Sequence, residues 1–147
     1  MLDWYWSDFN DLTLNQLYEL LALRSQVFVV EQHCFYQDLD GQDQTSHHLL
    51  GYDSQKILQA YLRCYPIDSH NITIGRVVIA ATQRQQGIGK VLMTHAIDFC
   101  RQQYPNHRIV IHAQYRLIHF YQELQFTACS EPFDQAGILH IRMERLP

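Results

Sequence analysis

The sequence predicts a mixed α/β fold in which a central mixed β-sheet is flanked by helices on both faces. Short apolar strand patterns alternate with amphipathic helix patterns along all 147 residues, as expected of a sheet covered by helices. A buried-type strand, Ile72–Ile79, passes through a glycine turn into a helix and then into a second buried-type strand, Arg108–Ala113. Two strands joined in this way pair in parallel.

Length, charge and cysteine usage exclude several classes of protein. A chain of 147 residues with a formal net charge of −4 predicts one domain, residues 1–147, that binds no nucleic acid. No apolar run approaches the length of a membrane span, and the N-terminus has no signal-peptide pattern, so we expect no membrane association. The cysteines are scattered without a C-x-x-C pair, which predicts reduced thiols and a cytoplasmic location. The histidine spacing predicts no metal site.

The first part of the chain is predicted to form a strand, a helix and two further strands. Trp4–Trp6 has the aromatic character of a short strand. Thr13 followed by Gln16 predicts a capping box at a helix N-terminus. His48–Tyr52 and Ile57–Tyr65 are predicted strands around a hairpin turn at residues 53–55. The apolar face predicted for the helix comprises Leu14, Leu17, Tyr18, Leu21, Ser25 and Phe28.

Arg24 falls on this predicted apolar face, and its position has two interpretations. In the first, its aliphatic stem packs on the core while its guanidinium reaches water or a carboxylate. In the second, the guanidinium lines the site of an acceptor substrate. Both interpretations remain open at the level of the sequence.

The polar segment Tyr36–Ser46 is acidic, with Asp38, Asp40 and Asp43 beside Gly41. The register excludes a calcium loop of the EF-hand type, because its first and last positions would be Tyr36 and His47. The segment is therefore interpreted either as a solvated acidic loop or as an acidic rim that attracts a cationic amine.

The second part of the chain is predicted to form a long helix, a short helix and two closing strands. The long helix starts at the glycine turn and ends before Pro105, with Ile88, Val91, Leu92, Ala96, Phe99 and Cys100 on its apolar face. The short helix is Leu117–Leu124. Thr127–Phe133 and Ile138–Glu144 are predicted strands around a turn at residues 134–137.

The glycine turn itself predicts an anion site. The first turn of a helix carries backbone N–H groups without partners and partial positive charge, which suits a phosphate. Gly87 and Gly89 allow close approach to the backbone, and Arg84 and Lys90 add positive charge. The position of Leu92 lacks the third glycine of a dinucleotide fingerprint, and the Walker pattern is also absent.

The sequence from Arg84 to Gly89 resembles the R/Q-x-x-G-x-G/A loop that binds the CoA pyrophosphate in GNAT acetyltransferases. Phe120–Phe126 resembles the F-Y-x-x-x-G-F signature of the same superfamily, with Gln125 in place of the usual glycine. The runs at residues 23–32, 74–78 and 137–141 are similar to the ElaA-like branch of that superfamily. The resemblance covers essentially the whole chain and implies the GNAT fold.

By this resemblance, acetyl-CoA is the cosubstrate of an N-acetyltransferase. The acetyl group would move to a primary amine of a small molecule or peptide by direct attack in a ternary complex. The strand around Val77–Ile79 would pair with the pantetheine arm, the loop would hold the pyrophosphate, and Gln114 would contact the CoA arm. The implied cofactor-binding residues are Val77, Val78, Ile79, Arg84, Gln85, Gln86, Gly87, Ile88, Gly89, Lys90 and Gln114.

Tyr121 is the implied general acid for the leaving thiolate, although core packing on its helix is the alternative interpretation. The base is left open between Glu31, His112 and His140, and Glu31 has a competing interpretation as an ion-pair partner of Arg24 or Arg76. The catalytic candidates are Tyr121, Glu31 and His140, and the candidates for contact with the acceptor are Arg24, Phe28, Arg76 and His112.

Two other functions remain open. One is a catalytically inactive CoA-binding or protein-interaction module on the same fold. The other is a binder of another kind, in which the glycine loop is only a turn. The sequence does not identify the acceptor or the oligomeric state, for which a homodimer is one expectation.

Overall fold

The computed structural model describes residues 1–147. It contains eight strands and three α-helices. The strands are β1 (Asp3–Asp8), β2 (His47–Tyr52), β3 (Leu58–Pro66), β4 (Asn71–Ile79), β5 (Arg108–Gln114), β6 (Thr127–Ala128), β7 (Phe133–Gln135) and β8 (Ile138–Arg145). The helices are α1 (Leu14–Ser25), α2 (Ile88–Gln103) and α3 (Ile118–Glu123), and a π-helical segment (Gln26–Glu31) continues α1.

All eight strands form one mixed sheet, in the order β1-β2-β3-β4-β5-β8-β6, with β7 also paired to β8. Every neighbouring pair is antiparallel except β4 and β5, which are parallel. The predicted strand–helix–strand unit with parallel strands is therefore confirmed, as is the mixed sheet.

Helices cover both faces of this sheet, as predicted. On one face α2 and α3 bury the larger apolar core, which includes Leu92, Ala96 and Tyr121. On the opposite face α1 buries a smaller core around Leu20 and Tyr61. We call the side with α2 and α3 helix face A and the side with α1 helix face B.

The capping box of α1 is present, because the Thr13 side chain accepts from the Gln16 N–H and the Gln16 side chain accepts from the Thr13 N–H. The predicted apolar face of this helix is correct only in part, because Leu17, Leu21 and Phe28 pack against the smaller core and other members do not. Leu14 is 86% exposed and Tyr18 is 77% exposed, whereas Leu20 and Arg24 are completely buried. Arg24 is buried on the predicted face, but the buried side is centred on Leu20 and Arg24 instead of on Leu14 and Tyr18.

The closing strands also differ from the prediction. The predicted strand Thr127–Phe133 is divided into β6 and β7, which pair with different parts of β8. Pro132 lies in the break, where a residue without an N–H cannot donate to a ladder. The hairpin turn is only two residues long, with Ala136 at φ 53° and Gly137 at φ 81°, as in a type I′ turn.

β4 contains a bulge that changes which side chains face each core. Tyr61 pairs with Val78 and Arg63 pairs with Gly75, so β4 carries one extra residue between these pairs. Arg76 within this interval has a left-handed φ of 52°. A bulge of this kind bends and twists its strand. It shifts the alternation, so that Ile74 before it and Val77 after it both pack on helix face A.

β4 and β5 pair only over their first three residues, Asn71–Thr73 with Arg108–Val110. Beyond Thr73 the two strands continue without pairing to each other, and a gap opens in the middle of the sheet. Backbone groups that face this gap lack the ladder partners that a continuous sheet would supply. None of the helices is long and apolar enough to cross a membrane.

Candidate active site

The gap between β4 and β5 presents peptide groups near the end of β4 that are not paired with another strand. The Ala80 N–H donates to the Gln59 carbonyl on β3 at 2.8 Å. Successive residues of a strand direct their peptide groups to opposite sides, so the N–H and carbonyl of Ile79 face the gap. An extended ligand that carries amides can therefore add to β4 as a strand would.

The glycine loop (Arg84–Gly89) follows this end of β4 and leads into α2. Gln85 has φ 64° and Gly87 has φ 76°, so the loop contains two left-handed residues before the helix begins. Gly87 is the N-cap, and no side chain caps the helix. The first N–H groups of α2 therefore point out of the protein without a capping partner. The structure places the residues predicted for anion binding at one exposed, positively polarised helix end.

The glycine loop, the end of β4 and α3 meet at Gly89. A Cβ added there would lie 3.4 Å from Ile79 Cδ1 and 3.6 Å from Phe120 Cζ. Phe120 precedes Tyr121 on α3, so the loop and the candidate general acid belong to neighbouring elements. At Gly87 an added Cβ would meet nothing within 4 Å, and its glycine is explained by its positive φ.

Arg84 is held at two points beside the gap. Its Nε donates to the Ile79 carbonyl at 3.0 Å. Its Nη2 lies 2.7 Å from Glu31 Oε1, at the end of the π-helical segment. The ion-pair interpretation of Glu31 therefore has a partner that the sequence did not identify, Arg84 instead of Arg24 or Arg76.

The residue after Glu31 reaches the other strand of the gap. Gln114 Nε2, at the end of β5, donates to Gln32 Oε1 at 3.3 Å. Glu31 and Gln32 are thus linked to the loop after β4 and to β5, respectively. The end of the π-helical segment spans the mouth of the gap on helix face B. Gln114 lies at the gap and has a side-chain partner on this segment.

Tyr121 lies on α3 with its ring edge-on to Phe120 and Phe126, at centroid distances of 5.0 and 5.9 Å. Burial raises the pKa of its hydroxyl to about 12. The hydroxyl has no hydrogen-bond partner in the chain, and the only fully enclosed side-chain polar atom without a partner is Arg63 Nε. The Tyr121 hydroxyl is therefore protonated at neutral pH and remains open to a ligand.

His140 and His112 flank Phe133 on the sheet beyond β5. Phe133 stacks on His140 at 6.1 Å and is edge-on to His112 at 5.4 Å. His140 Nδ1 lies 2.7 Å from the Ile138 carbonyl, which only accepts, so Nδ1 carries the proton and Nε2 keeps its lone pair. Desolvation lowers the pKa of His112. His140 pairs across the strands with Gln114, so both side chains project from the same face near the gap.

The acidic segment forms neither a solvated loop nor an acidic rim. Three arginines hold its aspartates in an arginine–aspartate cluster on helix face B, with separations of 2.6–3.4 Å. Burial alone would raise the pKa of Asp40, but its hydrogen bonds with Arg63 and the charge of Arg63 outweigh burial and lower it to about 2. The members of the arginine–aspartate cluster are Arg24, Arg63, Arg76, Asp38, Asp40 and Asp43.

The arginine–aspartate cluster corrects the assignment of Arg24 to the acceptor site. Its side chain is 0% exposed and contacts Asp38 and Asp43, which is the carboxylate-paired interpretation. Arg76 is bound to Asp38 and lies over the Tyr36 ring at 5.0 Å, so its charge is also used within the chain. Phe28 is half-buried, 6.4 Å from Tyr36, and stays a candidate wall of the acceptor site.

Comparison with known proteins decides the family. The family model for the acetyltransferase (GNAT) domain matches residues 10–147. The chain belongs to the GNAT acetyltransferase family. Protein ElaA of Escherichia coli is 37% identical, with 99% of this chain and 97% of ElaA covered. Its crystal structure matches with a TM-score of 0.93 over 99% of each chain. The ElaA-like branch indicated by the sequence motifs is confirmed.

Two further GNAT structures are similar. An acyl-CoA N-acyltransferase from Pseudomonas aeruginosa is 39% identical, with a TM-score of 0.93 over 99% of each chain. A GNAT acetyltransferase from Elizabethkingia anophelis, solved with acetyl-CoA bound, has a TM-score of 0.68, covers 99% of this chain and 98% of its own, and is 15% identical. At that identity the second likeness concerns the fold alone.

Sequence reasoning missed Arg63, Gln32 and the pairing of Arg84 with Glu31. Arg63 interrupts an otherwise apolar strand, and three aspartates occur within six residues. Those two facts together were a signal that buried arginines and aspartates neutralise each other. The contact between Arg84 and Glu31 joins residues more than fifty positions apart, and no local pattern indicates it.

Proposed function

We propose that this GNAT protein is an acetyl-CoA-dependent N-acetyltransferase that acetylates a primary amine of a small molecule or peptide. One observation carries the proposal. A gap with unpaired backbone groups opens directly beside an uncapped helix N-terminus. Acetyl-CoA has the matching parts in the matching order, because an amide-bearing arm joins its thioester to a diphosphate. The name of the Pseudomonas protein, an acyl-CoA N-acyltransferase, supports this choice of cosubstrate.

The diphosphate would lie against the first N–H groups of α2, where the glycine loop and Arg84 supply positive charge. The pantetheine arm would enter the gap and pair with the Val77 and Ile79 peptide groups. Gln114 would contact the arm from the opposite strand. The proposed cofactor-binding residues are those derived from the sequence: Val77, Val78, Ile79, Arg84, Gln85, Gln86, Gly87, Ile88, Gly89, Lys90 and Gln114.

The reaction is a direct transfer in the ternary complex. The neutral amine attacks the thioester carbon, whose oxygen accepts from the Ile79 N–H. The new C–N bond forms, the C–S bond breaks, and the sulfur leaves with the electron pair of that bond. The amine proton passes to a base, and the departing thiolate receives a proton.

Tyr121 would supply the proton to the thiolate. Its hydroxyl stays protonated because burial raises its pKa to about 12, which is above the usual pKa of a thiol. A thiolate that departs beside such a hydroxyl gains an O–H donor during bond cleavage. Burial of the ring is common to the catalytic interpretation and to core packing, and the hydroxyl without a partner in the chain favours the catalytic one.

His140 would accept the amine proton, directly or through water. The hydrogen bond to the Ile138 carbonyl fixes the tautomer of the neutral ring, in which Nε2 presents a lone pair. The ring is held by Phe133 on a strand that neighbours the gap. Acceptor amines would then approach from helix face B, between His140 and Phe28, while the thiol leaves toward α3 on helix face A.

Thiol-release kinetics with acetyl-CoA over a panel of polyamines, aminoglycosides, arylamines and peptides tests the proposal. Tyr121→Phe should lower kcat by on the order of 100-fold, while calorimetry with CoA gives an unchanged Kd. Burial predicts that Tyr121 causes no alkaline loss of kcat up to about pH 10.

The inactive module gives a different result. It would bind CoA in calorimetry yet release no thiol with any amine in the panel, in wild type as well as in Tyr121→Phe. Absence of CoA binding would exclude both functions. A cytoplasmic location is part of the proposal, since all four cysteines are free thiols.

A further inference from the structure

We propose that Glu31 is a positioning residue that holds Arg84 for the cofactor diphosphate, and that it is not the general base. The proposal rests on the proposed function, because it takes the glycine loop as the diphosphate site. It assigns a role to a carboxylate that the sequence left between catalysis and an ion pair.

The two anchors of Arg84 lie on one edge of its guanidinium. Nε donates to the Ile79 carbonyl, and Nη2 lies 2.7 Å from Glu31 Oε1. Nη1 has no partner in the chain. Arg84 Nη1 and the remaining Nη2 hydrogen are therefore free to contact an anion, while the other edge fixes the plane of the group.

Glu31 is itself fixed in place. It ends the π-helical segment, and Gln32 next to it accepts from Gln114 on β5. The carboxylate thus reaches Arg84 from a support that spans the gap. A surface ion pair of this kind adds little to the stability of a fold, because both groups are partly exposed. Its effect is on the orientation of Arg84.

Two opposing effects decide whether Glu31 strengthens or weakens binding of the diphosphate. A carboxylate near the diphosphate repels it, and an unanchored arginine must lose side-chain freedom when it binds phosphate. Arg84 is 41% exposed and Glu31 is 26% exposed, so water and salt screen the repulsion. The ordering of the long arginine side chain is not screened, and we infer that this effect is larger.

The same geometry argues against Glu31 as the base. A general base needs a lone pair within reach of the amine proton. One oxygen of Glu31 is held by Arg84, on the loop side of the gap. His140 stands across β5 with a lone pair that no residue occupies.

Calorimetric titration with CoA, on wild type and on Glu31→Ala, Arg84→Ala and the double variant, tests the inference. Glu31→Ala should weaken CoA binding about three- to tenfold, and it should add nothing in the Arg84→Ala background, because coupled residues give non-additive effects. Glu131→Ala, at an exposed carboxylate without an ion pair, controls for the change in net charge.

Turnover supplies the second readout. With acetyl-CoA as the varied substrate, Glu31→Ala should raise KM by the same factor as Kd and leave kcat within about twofold. With S-acetylpantetheine, which has no diphosphate, the variant should match wild type. A positioning role through Arg84 predicts this dependence on the diphosphate, whereas a general loss of folding does not.

Equal or tighter CoA binding by Glu31→Ala overturns the proposal, and so does an additive effect in the double variant. A fall in kcat with both donors shows that Glu31 is the base and also overturns it. A wild type that binds no CoA contradicts the proposed function itself, so the two failures are distinguishable.

Discussion

The arginine–aspartate cluster and the glycine loop place the same kind of side chain in two different situations. In the arginine–aspartate cluster, Arg24 is completely buried against two carboxylates of the chain itself. In the glycine loop, Arg84 is 41% exposed beside helix amides that no side chain caps. The charges of the first region are balanced within the chain. In the second, Arg84 pairs with Glu31, but the positively polarised N-terminus of α2 has no counter-charge. A ligand anion is expected where an arginine is exposed beside uncapped helix amides, and the sequence alone does not distinguish such an arginine from a buried, paired one.

Asp43→Ala should have the largest effect on stability, and it would break the arginine–aspartate cluster. Asp43 pairs with both Arg24 and Arg63 at 2.7 and 2.8 Å. Removing one partner of a buried pair leaves charge uncompensated, and we expect a loss of about 3 kcal/mol in the free energy of unfolding. Urea denaturation measures it. A loss below about 1 kcal/mol would show that water already compensates these charges.

Gly87→Asp should give the N-terminus of α2 a counter-charge from the chain itself. The new carboxylate would lie beside the uncapped amides of α2 and oppose a diphosphate. We expect CoA affinity to fall on the order of 100-fold, with the free energy of unfolding changed by about 1 kcal/mol or less. Calorimetry and denaturation measure the two quantities.

Gly87→Asn is the matched control, because asparagine also tolerates the left-handed conformation but carries no charge. It should lose much less CoA affinity than Gly87→Asp. Equal affinities for wild type and Gly87→Asp would mean that the glycine loop is only a turn.

The pH dependence of the free energy of unfolding should show that the arginines of the arginine–aspartate cluster stabilise its ionised aspartates. Against the effect of burial, hydrogen bonds from arginines lower the pKa values of Asp40 and Asp43. Their stabilising contribution is therefore present above pH 3.8 and is lost as pH falls toward about 2.

Burial lowers the pKa of His48 from 6.5, so its neutral form also contributes stability that begins to decline below that pH. Thermal melts from pH 7 to 2 should show both declines. His48→Gln should reduce the upper one, to which His112 also contributes, and a single decline in wild type would contradict this assignment.

Glu144→Gln should have the smallest effect on the free energy of unfolding, because it removes an exposed ion pair instead of a buried one. Glu144 lies 3.3 Å from Arg108, which is 46% exposed. An exposed pair of this kind contributes about 0–0.5 kcal/mol. Urea denaturation in low and high salt should give a difference from wild type within that range. A loss as large as that for Asp43→Ala would mean that burial does not separate the two kinds of pair.

Most of the fold could be predicted because its signals are local. The capping box at Thr13, the glycine turn before α2 and the parallel strand pair each depend on residues within one or two elements. Gln125 adopts the left-handed conformation that its motif position implies, at φ 70°, at a cost of about 1 kcal/mol. Arg145 donates to the Leu124 carbonyl and to the Gln125 side chain, which stabilises this turn.

The parts that could not be predicted depend on distant partners. The buried side of α1 was predicted only in part, because the arginine at its centre, Arg24, is favourable there only through Asp38 and Asp43 on a later segment. The bulge at Arg76 leaves no trace in the apolar pattern of β4. The candidate site was located by Arg84 and the glycines, but the chemical partner of Arg84 lies on a segment that meets it only in the folded chain.

The parting of β4 and β5 gives this sheet an inner seam. Amide hydrogens in the centre of a sheet normally exchange with solvent only on global unfolding. The Ile79 amide lies on β4, the middle strand in the order β1-β2-β3-β4-β5-β8-β6. Because it faces the gap, it should exchange within seconds to minutes, as a loop amide would. An acyl donor bound in the seam would complete the hydrogen-bond ladder. This sheet therefore has unpaired backbone groups in its interior, where other sheets have them only at their edge strands.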